Sequence, residues 1–370
     1  MIKILSLFSG IGAFERACCR IGLDWELVNY CEIDRWASLS YSMVNQCDES
    51  LNLRDVRTVT AETVRDQHVD LITYGFPCQD ISIAGKQQGF VNDCGESTRS
   101  GLFFEALRII KELRPRYAIA ENVKALTSAK FKTEFATVLS SLEEAGYKNY
   151  WRVLNAKDYG IPQNRERVFI VSIRKDVDKG DFQFPDKLPL TKTLKDMLEP
   201  KVDEKYYINN ERAKNLIEQI KSRYIITEST PVDGTILEPR AKEVCNCIAA
   251  RYDAGIQNQK SIGCMVVEPN KDPIVIGSMQ AHAAVKTDGI CPTLTEAMGM
   301  GGGQVPVHTY GVRIRKLTPR ECWRLMGFLD EEFDRVHGIS NSQLYKQAGN
   351  SIVVNVLSAL LSQLFYKELV

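Results

Sequence analysis

A cysteine and a glutamate in this chain lie at the ends of two apolar segments. Cys78 follows the segment 69–76, and Glu121 follows the segment 116–120. A thiol can act as a nucleophile, and a carboxyl group can hold or transfer a proton. Because the carboxyl ends of neighbouring parallel strands open onto one crevice, both side chains could face the same substrate. The pair suggests covalent catalysis with a proton-handling partner.

The elements that would position this pair alternate between strands and helices. Strands are predicted at 2–7 and 25–31, weakly before Asp55, and again before Cys78 and before Glu121. Helical spacing of apolar residues predicts helices at about 13–20 and 102–113, and two further strands are predicted at 151–154 and 167–173. This alternation is typical of a doubly wound α/β sheet.

The regular alternation stops after Arg174 and resumes near the end of the chain. Between 175 and 308, Gly, Pro and Asn become frequent and the predicted strands are short and irregular, whereas 318–326 and 351–366 again show helical patterning. The segments 247–255 and 292–299 share a rhythm of small and aliphatic residues that runs toward glycine. We therefore predict one domain from 1–174 plus 310–370, and an inserted domain at 175–309.

Composition narrows the class of protein. The 370 residues include 11 cysteines, and no leader or long apolar span is evident, so we expect a cytosolic protein with reduced thiols and no membrane contact. The pair Cys245 and Cys247 is spaced too closely for a typical zinc site, and no metal is predicted. Lys plus Arg and Asp plus Glu are 47 each, a balance that counts mildly against a nucleic-acid partner.

The first predicted turn resembles a cofactor site. Gly10 and Gly12 would let a ligand approach the backbone, but Glu15 occupies the position where a dinucleotide fingerprint has its third glycine, and we expect this acid to lie where a pyrophosphate would bind. Glu32 could accept hydrogen bonds from ribose hydroxyls, and Asp55 could hold an adenine amino group. A nucleoside cofactor without phosphates, such as S-adenosylmethionine, is the better match.

Six motifs, taken in order, resemble those of the DNA cytosine-5 methyltransferases. They are Phe8-Ser9-Gly10-Ile11-Gly12, Pro77-Cys78-Gln79, Glu121-Asn122-Val123, Gln163-Asn164-Arg165-Glu166-Arg167, Arg320-Glu321-Cys322 with Met326-Gly327-Phe328, and Gly349-Asn350-Ser351. The resemblance covers about the first 174 and the last 60 residues. It implies a Rossmann-like S-adenosylmethionine-dependent methyltransferase domain with an inserted, mostly irregular or β target recognition domain.

The resemblance assigns a chemical role to each catalytic residue. Cys78 would add to carbon-6 of a cytosine flipped out of duplex DNA, and Glu121 would hold the ring nitrogen-3 and the exocyclic amine. Arg165 and Arg167 would bind the pyrimidine oxygen or a nearby phosphate. Removal of the carbon-5 proton would then expel Cys78, and the sequence does not name the base that takes it.

The resemblance also assigns binding residues and partners. The implied cofactor contacts are Phe8, Gly10, Gly12, Glu32, Asp55, Pro77, Leu102 and Asn350. The implied DNA contacts are Gln79, Ser82 and Lys86 in a loop after Cys78, and Thr293, Gly301 and Gly302 in the insertion. We expect a bacterial or phage modification enzyme that acts as a monomer on double-stranded DNA, with any cognate restriction endonuclease on a separate chain.

Three alternatives were weighed against this interpretation. A tRNA cytosine-5 methyltransferase would share the catalytic residues, but the insertion lacks the Cys-Phe-Thr signature of that branch. An inactive homologue that only binds DNA would have no need of Cys78, Glu121 and the two arginines. A Rossmann oxidoreductase with a redox cysteine is disfavoured by Glu15 and by the Pro77-Cys78-Gln79 context.

Overall fold

The computed structural model describes residues 1–77, 99–207, 214, 217–218, 229–234, 239–241, 243–248, 264–276, 285–286 and 307–366. The chain forms two compact units. The first comprises Met1–Thr193, Cys247–Tyr252 and Pro319–Val370, and the second comprises Leu194–Asn246 and Asp253–Thr318. Cys247–Tyr252 lies within the predicted insertion but groups with the first unit.

The first unit is built on a six-stranded mixed sheet. Its strands are β1 (Ile2–Leu7), β2 (Trp25–Cys31), β3 (Leu71–Tyr74), β4 (Tyr117–Val123), β5 (Tyr147–Asn155) and β7 (Glu166–Arg174), with a two-residue strand β6 (Gln163–Asn164) before β7. The order is β2-β1-β3-β4-β7-β5. The first four strands are parallel, whereas β7 runs antiparallel to both β4 and β5.

Helices accompany this sheet. They are α1 (Ala13–Arg20), α2 (Arg35–Asn45), α3 (Phe103–Leu113), α4 (Lys132–Glu144), α5 (Pro319–Arg324), α6 (Asp330–Asp334), α7 (Asn341–Asn350) and α8 (Val354–Leu364). All four residues of β3 are buried, as expected for a parallel strand that is covered on both faces. The Rossmann-like α/β fold predicted from the sequence is confirmed.

Some predicted elements differ from the structure. The prediction of a weak strand before Asp55 is wrong. This region forms one isolated bridge, between Tyr30 and Asn52, and then a 3-10 helix at Val56–Thr58. Four helices, α2, α4, α6 and α7, were not predicted. In α2 the buried positions include Ser38 and Ser40, so the apolar periodicity that marks a helix is weak there.

The described part of the second unit is antiparallel β structure. Its strands are β8 (Thr230–Gly234), β9 (Pro239–Ala241), β10 (Cys245–Asn246), β11 (Met265–Ile276), β12 (Val285–Lys286) and β13 (Val307–Lys316). The long strand β11 pairs with β8, β12 and β13. Between β11 and β13, Glu268 forms an ion pair of 2.8 Å with the fully buried Arg315. Within the described ranges, no helix has the length and apolar character needed to cross a membrane.

Glu15 on α1 is a buried acid without a strong partner. It is 1 % exposed, and neither carboxylate oxygen makes a hydrogen bond of normal geometry to the described residues. Burial raises the pKa of Glu15, and the nearby hydroxyls of Ser6 and Tyr41 offset this only in part. The expectation that Glu15 lies where a pyrophosphate would bind is therefore wrong, because its side chain lies in the core.

Replacing Glu15 with glutamine is expected to stabilise the protein at neutral and alkaline pH. A raised folded-state pKa means that the native state binds the proton more tightly than the unfolded chain, so wild-type stability is lost as pH rises through that pKa. We expect Glu15→Gln to raise the free energy of unfolding by about 1–3 kcal/mol at pH 8, the usual cost of a poorly satisfied buried polar group. Urea unfolding between pH 4 and pH 8 measures this.

The gain in the free energy of unfolding from Glu15→Gln should shrink as pH falls and vanish near the unfolded-state pKa of about 4.3. The matched control is Glu143→Gln on α4, whose side chain is 70 % exposed and which should leave the free energy of unfolding unchanged. A Glu15→Gln effect that is independent of pH would contradict the assignment of the cost to a buried charge.

Candidate active site

The turn after β1 has an unusual backbone conformation. Phe8, Gly10 and Gly12 all have positive φ angles, of 52°, 58° and 85°. At Gly12 the conformation and the space both require glycine, because an added Cβ would lie 2.1 Å from Nδ2 of Asn45. Left-handed backbone at the non-glycine Phe8 is costly and often marks a functional site.

Glu32 is tied to this turn by hydrogen bonds. Its Oε2 accepts from the backbone N–H of Gly10 at 2.9 Å, and its Oε1 accepts from the N–H of Asp34 at 2.8 Å. Asn52 brackets the backbone of Glu32, accepting from its N–H at 3.0 Å and donating to its carbonyl at 2.9 Å. Burial raises the pKa of Glu32, and these backbone donors favour its charged form. The carboxylate is therefore held in place at the end of β2.

Asp55 lies three residues after Asn52, and its carboxylate accepts hydrogen bonds from Arg57. Arg57 donates from Nε and Nη2, with a closest approach of 2.6 Å, and its backbone N–H donates to Oδ1 at 3.0 Å. Hydrogen bonds from Arg57 hold the pKa of Asp55 below its ordinary value. Asp55 is thus an ionised acceptor, as an adenine amino group would require, although it already has one partner.

A pocket lies within the first unit beside the turn. Its lining brings together four predicted site residues, Phe8, Gly10, Glu121 and Asn350. The rest of the described lining is Leu7, Ser9, Ala13, Phe14, Gly75, Ser351 and Ile352. None of these is Lys or Arg. Diphosphate sites usually combine cationic side chains with the N–H groups of a helix N-terminus, and this lining offers no cation, so it suits a ligand without phosphates better than a dinucleotide.

Glu121 and Arg167 meet because of the register between β4 and β7. Glu121 lies opposite Phe169, and Val123 lies opposite Arg167, so Glu121 and Arg167 are diagonal neighbours on one face of the sheet. Nε of Arg167 is 3.1 Å from Oε1 of Glu121, with side chains only 18 % and 12 % exposed. Burial raises the pKa of Glu121, while the charges of Arg167 and Arg165 oppose that rise.

The chain that leads to Cys78 runs beside Glu121. A Cβ placed on Gly75 would lie 3.7 Å from Oε2 of Glu121, and Nδ2 of Asn122 donates to the carbonyl of Phe76 at 3.1 Å. The half-buried Pro77 is the last residue described before the gap. Asn122, the neighbour of Glu121, therefore anchors the approach to the predicted nucleophile.

Arg165 holds two segments of the first unit together. It is 4 % exposed, and its Nη1 donates to Sγ of Cys247 and to the carbonyl of Ile248, both at 3.2 Å. Its Nη2 donates to the carbonyls of Gly349 and Ser351, at 2.9 and 2.6 Å, on either side of Asn350. Arg165 thus positions the C-terminal end of α7, where Asn350 lies, whereas Arg167 is the arginine that contacts Glu121.

The remaining predicted site residues fall into two groups. Phe8 and Leu102 both pack against the main hydrophobic core of the first unit, and Leu102 immediately precedes α3. Seven others lie outside the described residues: Cys78, Gln79, Ser82, Lys86, Thr293, Gly301 and Gly302.

Sequence reasoning missed three residues with positioning roles. Asn52 and Asn122 act through amide groups that bond to the backbone, and a single asparagine in a sequence gives no signal of such a role. Cys247 was considered only as a zinc ligand, together with Cys245. Ile33, between Glu32 and Asp34, is 68 % exposed and adds an apolar surface next to the carboxylate of Glu32.

The sheet and the glycine turn after β1 form a Rossmann-like α/β fold, the fold class of the S-adenosylmethionine-dependent methyltransferases. The model of the C-5 cytosine-specific DNA methylase family matches residues 2–366. The chain belongs to this family and is a DNA (cytosine-5-)-methyltransferase, with S-adenosylmethionine as its methyl donor. The enzyme class and cofactor predicted from the sequence are confirmed.

Several curated proteins resemble the chain along nearly its whole length. The type II methyltransferase M2.ScrFI of Lactococcus lactis subsp. cremoris is 37 % identical, with full coverage of both chains. The orphan methyltransferase M.SPRI of Bacillus phage SPR is 31 % identical, covering 99 % of this chain and 98 % of its own. The type II methyltransferase M.HhaI of Haemophilus parahaemolyticus is 32 % identical, with coverages of 96 % and 92 %.

Solved structures support the fold. A mutant of Spodoptera frugiperda DNMT2 superposes with a TM-score of 0.66 at 21 % identity, covering 99 % of this chain and 100 % of its own. A putative DNA modification methyltransferase encoded within an E. coli prophage gives a TM-score of 0.57 at 21 % identity, covering 99 % of both. At this level of identity the likeness concerns the fold alone.

Proposed function

We propose that the enzyme methylates carbon-5 of a cytosine flipped out of a specific sequence in duplex DNA, through a transient bond between Cys78 and carbon-6. The observation that carries this proposal is the buried pair of Glu121 and Arg167, which faces the approach to Cys78. A carboxyl group and a guanidinium group offer donors and acceptors that match the polar edge of cytosine. Because that edge is paired inside a duplex, the base must leave the stack to be bound.

The state of Glu121 suits this role. Addition of a thiolate to carbon-6 pushes electron density onto nitrogen-3 and carbon-5 of the ring, and a proton delivered to nitrogen-3 stabilises it. Burial raises the pKa of Glu121, so a larger share of this carboxyl stays protonated near neutral pH than for an exposed glutamate. The guanidinium of Arg167 keeps the carboxyl oriented and can contact the pyrimidine oxygen.

The pocket residues Phe8 and Asn350, together with side chains outside the described lining, fit S-adenosylmethionine. When bound, this group supplies an electrophilic methyl carbon on a cationic sulfur. Glu32 would accept the ribose hydroxyls, Asp55 the adenine amine, and Ile33, Phe8 and Leu102 would supply apolar contacts. Asn350, held by the contacts of Arg165 with its two neighbours, would complete the pocket.

We also propose that the second unit is the target recognition domain. Its described part is an antiparallel sheet, built around β11 and stiffened by the buried ion pair of Arg315 with Glu268. A rigid sheet of this kind is a suitable support for loops that read base edges. Thr293, Gly301 and Gly302, the predicted DNA contacts of the insertion, stay predictions.

Replacing Glu32 with alanine is expected to weaken S-adenosylmethionine binding about 10- to 100-fold. The change removes the ribose acceptor and also leaves the N–H groups of Gly10 and Asp34 without their partner, and hydrogen bonds to charged groups contribute about 1.5–3 kcal/mol each. Isothermal titration calorimetry with the cofactor measures this. The control is Glu26→Ala on the same strand, whose carboxylate pairs with Arg65. Equal affinities of the two variants would contradict the role of Glu32.

The proposed reaction can be tested on DNA of mixed sequence. The enzyme is incubated with unmethylated duplex DNA and, in a parallel reaction, with tRNA, each with tritiated S-adenosylmethionine, and 5-methylcytosine in the DNA is then mapped by bisulfite sequencing. Label in DNA at cytosines that share one sequence context supports the proposal. Label only in tRNA, or label in DNA at a position other than carbon-5 of cytosine, would overturn it.

A further inference from the structure

A second thiol lies beside the arginines of the proposed base site. Sγ of Cys247 accepts hydrogen bonds from Nη1 of Arg165 at 3.2 Å and from Nη2 of Arg167 at 3.8 Å. The next residue, Ile248, is buried, and its N–H donates to the buried Oε1 of Gln163 at 3.2 Å, which fixes this segment. Cys247 itself is exposed. The four residues Cys247, Arg165, Arg167 and Glu121 form the arginine–thiol cluster.

The cluster favours the ionised thiol. Burial of the sulfur opposes ionisation, but the charges and hydrogen bonds of the two arginines outweigh it and lower the pKa of Cys247 below its ordinary value. The buried Arg165 also keeps one donor, Nε, without an acceptor among the described residues. By contrast, burial raises the pKa of Cys47 to about 11.

We propose that Cys247 is a peroxide-sensitive modification site and that its oxidation switches off the base site formed by Glu121 and Arg167. The geometry provides what such a site needs: a cysteine residue that is exposed, two cationic donors on its sulfur, and a direct link to the proposed base site. The reactivity of Cys247 stands by itself, whereas its effect on methyl transfer rests on the proposed function.

The chemistry balances with peroxide as the only co-reactant. The thiolate attacks one peroxide oxygen, an S–O bond forms, and the O–O bond breaks to release hydroxide, which takes the proton of the new sulfenic acid and leaves as water. Sulfur loses two electrons and peroxide gains them. The guanidinium donors stabilise both the departing hydroxide and the sulfenate that remains. A small thiol reverses the change by displacing that oxygen as water, and a second thiol then frees Cys247.

The link to the base site is Arg167. This guanidinium uses Nε to pair with Glu121 at 3.1 Å and Nη2 to reach Cys247. An anionic oxygen on Sγ is a stronger acceptor than a thiolate and competes with Glu121 for the same side chain. Oxidation therefore weakens the contact that orients Glu121 and adds an atom next to the proposed base site.

The reactivity is tested without DNA or cofactor. Cys78→Ala protein, which lacks the proposed nucleophile, is treated briefly with dilute iodoacetamide between pH 6 and pH 9, and each cysteine is quantified by peptide mass spectrometry. The internal control is Cys19, which is also exposed but accepts from one arginine only, Arg16 at 3.2 Å. We expect Cys247 to react at least ~10-fold faster than Cys19 at pH 7, because two cationic donors favour its thiolate, which is the form that reacts.

The variant Arg167→Gln should shift the pH profile of Cys247 upward and leave that of Cys19 unchanged. Peroxide should add one oxygen to the Cys247 peptide, removable by dithiothreitol. Equal rates for Cys247 and Cys19, a profile that Arg167→Gln does not move, or no oxygen on Cys247 would each overturn the modification site.

The effect on activity is tested separately in the wild-type protein. Peroxide should cause a loss of methyl transfer that follows the oxidation of Cys247 in time and is restored by dithiothreitol. If the enzyme kept full activity with Cys247 oxidised, the proposed effect on methyl transfer would be overturned. The proposed reactivity of Cys247 toward peroxide would still stand. A wild-type protein without any methyl transfer before peroxide would instead overturn the proposed function, and the iodoacetamide result would still stand.

Discussion

Cys78→Ala is expected to reduce methyl transfer to DNA about a thousandfold or more, as is usual when a covalent nucleophile is removed. Without the thiol, no nucleophile adds to carbon-6. Carbon-5 then does not gain the electron density that it needs to attack a methyl group. The folded state and the binding of S-adenosylmethionine should be unchanged. The initial rate of tritium transfer into duplex DNA measures the loss, and calorimetry with the cofactor confirms that the pocket is intact.

The matched control is Cys19→Ala. Cys19 lies on the exposed face of α1, its sulfur contacts Arg16, and it takes no part in the pocket described above. This variant should keep wild-type activity. If Cys78→Ala retained methyl transfer at the level of Cys19→Ala, covalent catalysis by Cys78 would be excluded.

Glu121→Ala is expected to lower kcat by a factor of about 10² to 10⁴, the usual contribution of a positioned acid or base. The change removes the proton donor to ring nitrogen-3 and leaves Arg167 without its 3.1 Å partner. Glu121→Gln preserves the shape and can still donate a hydrogen bond, but it cannot transfer a proton, so its loss should be smaller. Single-turnover rates with saturating DNA separate this chemical effect from binding.

The pH dependence identifies the role of Glu121. In the proposed mechanism Glu121 acts in its protonated form, so wild-type activity should fall as pH rises through its raised pKa. Glu121→Gln should shift or remove this descending limb. The control Glu166→Gln changes an exposed carboxylate on the neighbouring strand, paired with Lys124, and should leave the limb unchanged. If Glu121→Gln showed the same fall of activity with rising pH as the wild type, that fall would belong to another titrating group.

The sequence allowed good predictions wherever the signal was local. Apolar segments that end in polar residues indicated β1, β2 and the strand that leads toward Cys78, and the glycine turn indicated the place where a pocket lies. The prediction for Glu121 was close but incomplete: the residue lies within β4, two positions before its end, rather than after the strand. Its partner Arg167 reaches Glu121 because β7 runs antiparallel to β4. A hydrophobic pattern predicts a strand but not its direction in the sheet.

Other features depend on tertiary contacts that no single segment encodes. Arg165 and Arg167 look equivalent in the sequence, yet Arg165 uses its Nη donors on backbone carbonyls and a thiol, while Arg167 pairs with Glu121. Glu15 was interpreted from a motif position, but the helix turns its side chain into the core. Cys247 joins the first unit from within the predicted insertion, more than 80 positions after Arg165.

The most direct test of the account is to trap the covalent complex of Cys78 with DNA. Duplex DNA of mixed sequence is prepared with 5-fluorocytosine in place of cytosine and incubated with the enzyme and S-adenosylmethionine. Because fluorine on carbon-5 cannot leave as a proton does, the thiol cannot be expelled and the adduct should persist. We predict a complex that survives denaturing electrophoresis and yields a peptide joined to DNA at Cys78. A complex formed equally by Cys78→Ala, or none with a wild-type enzyme that methylates ordinary DNA, would contradict the mechanism.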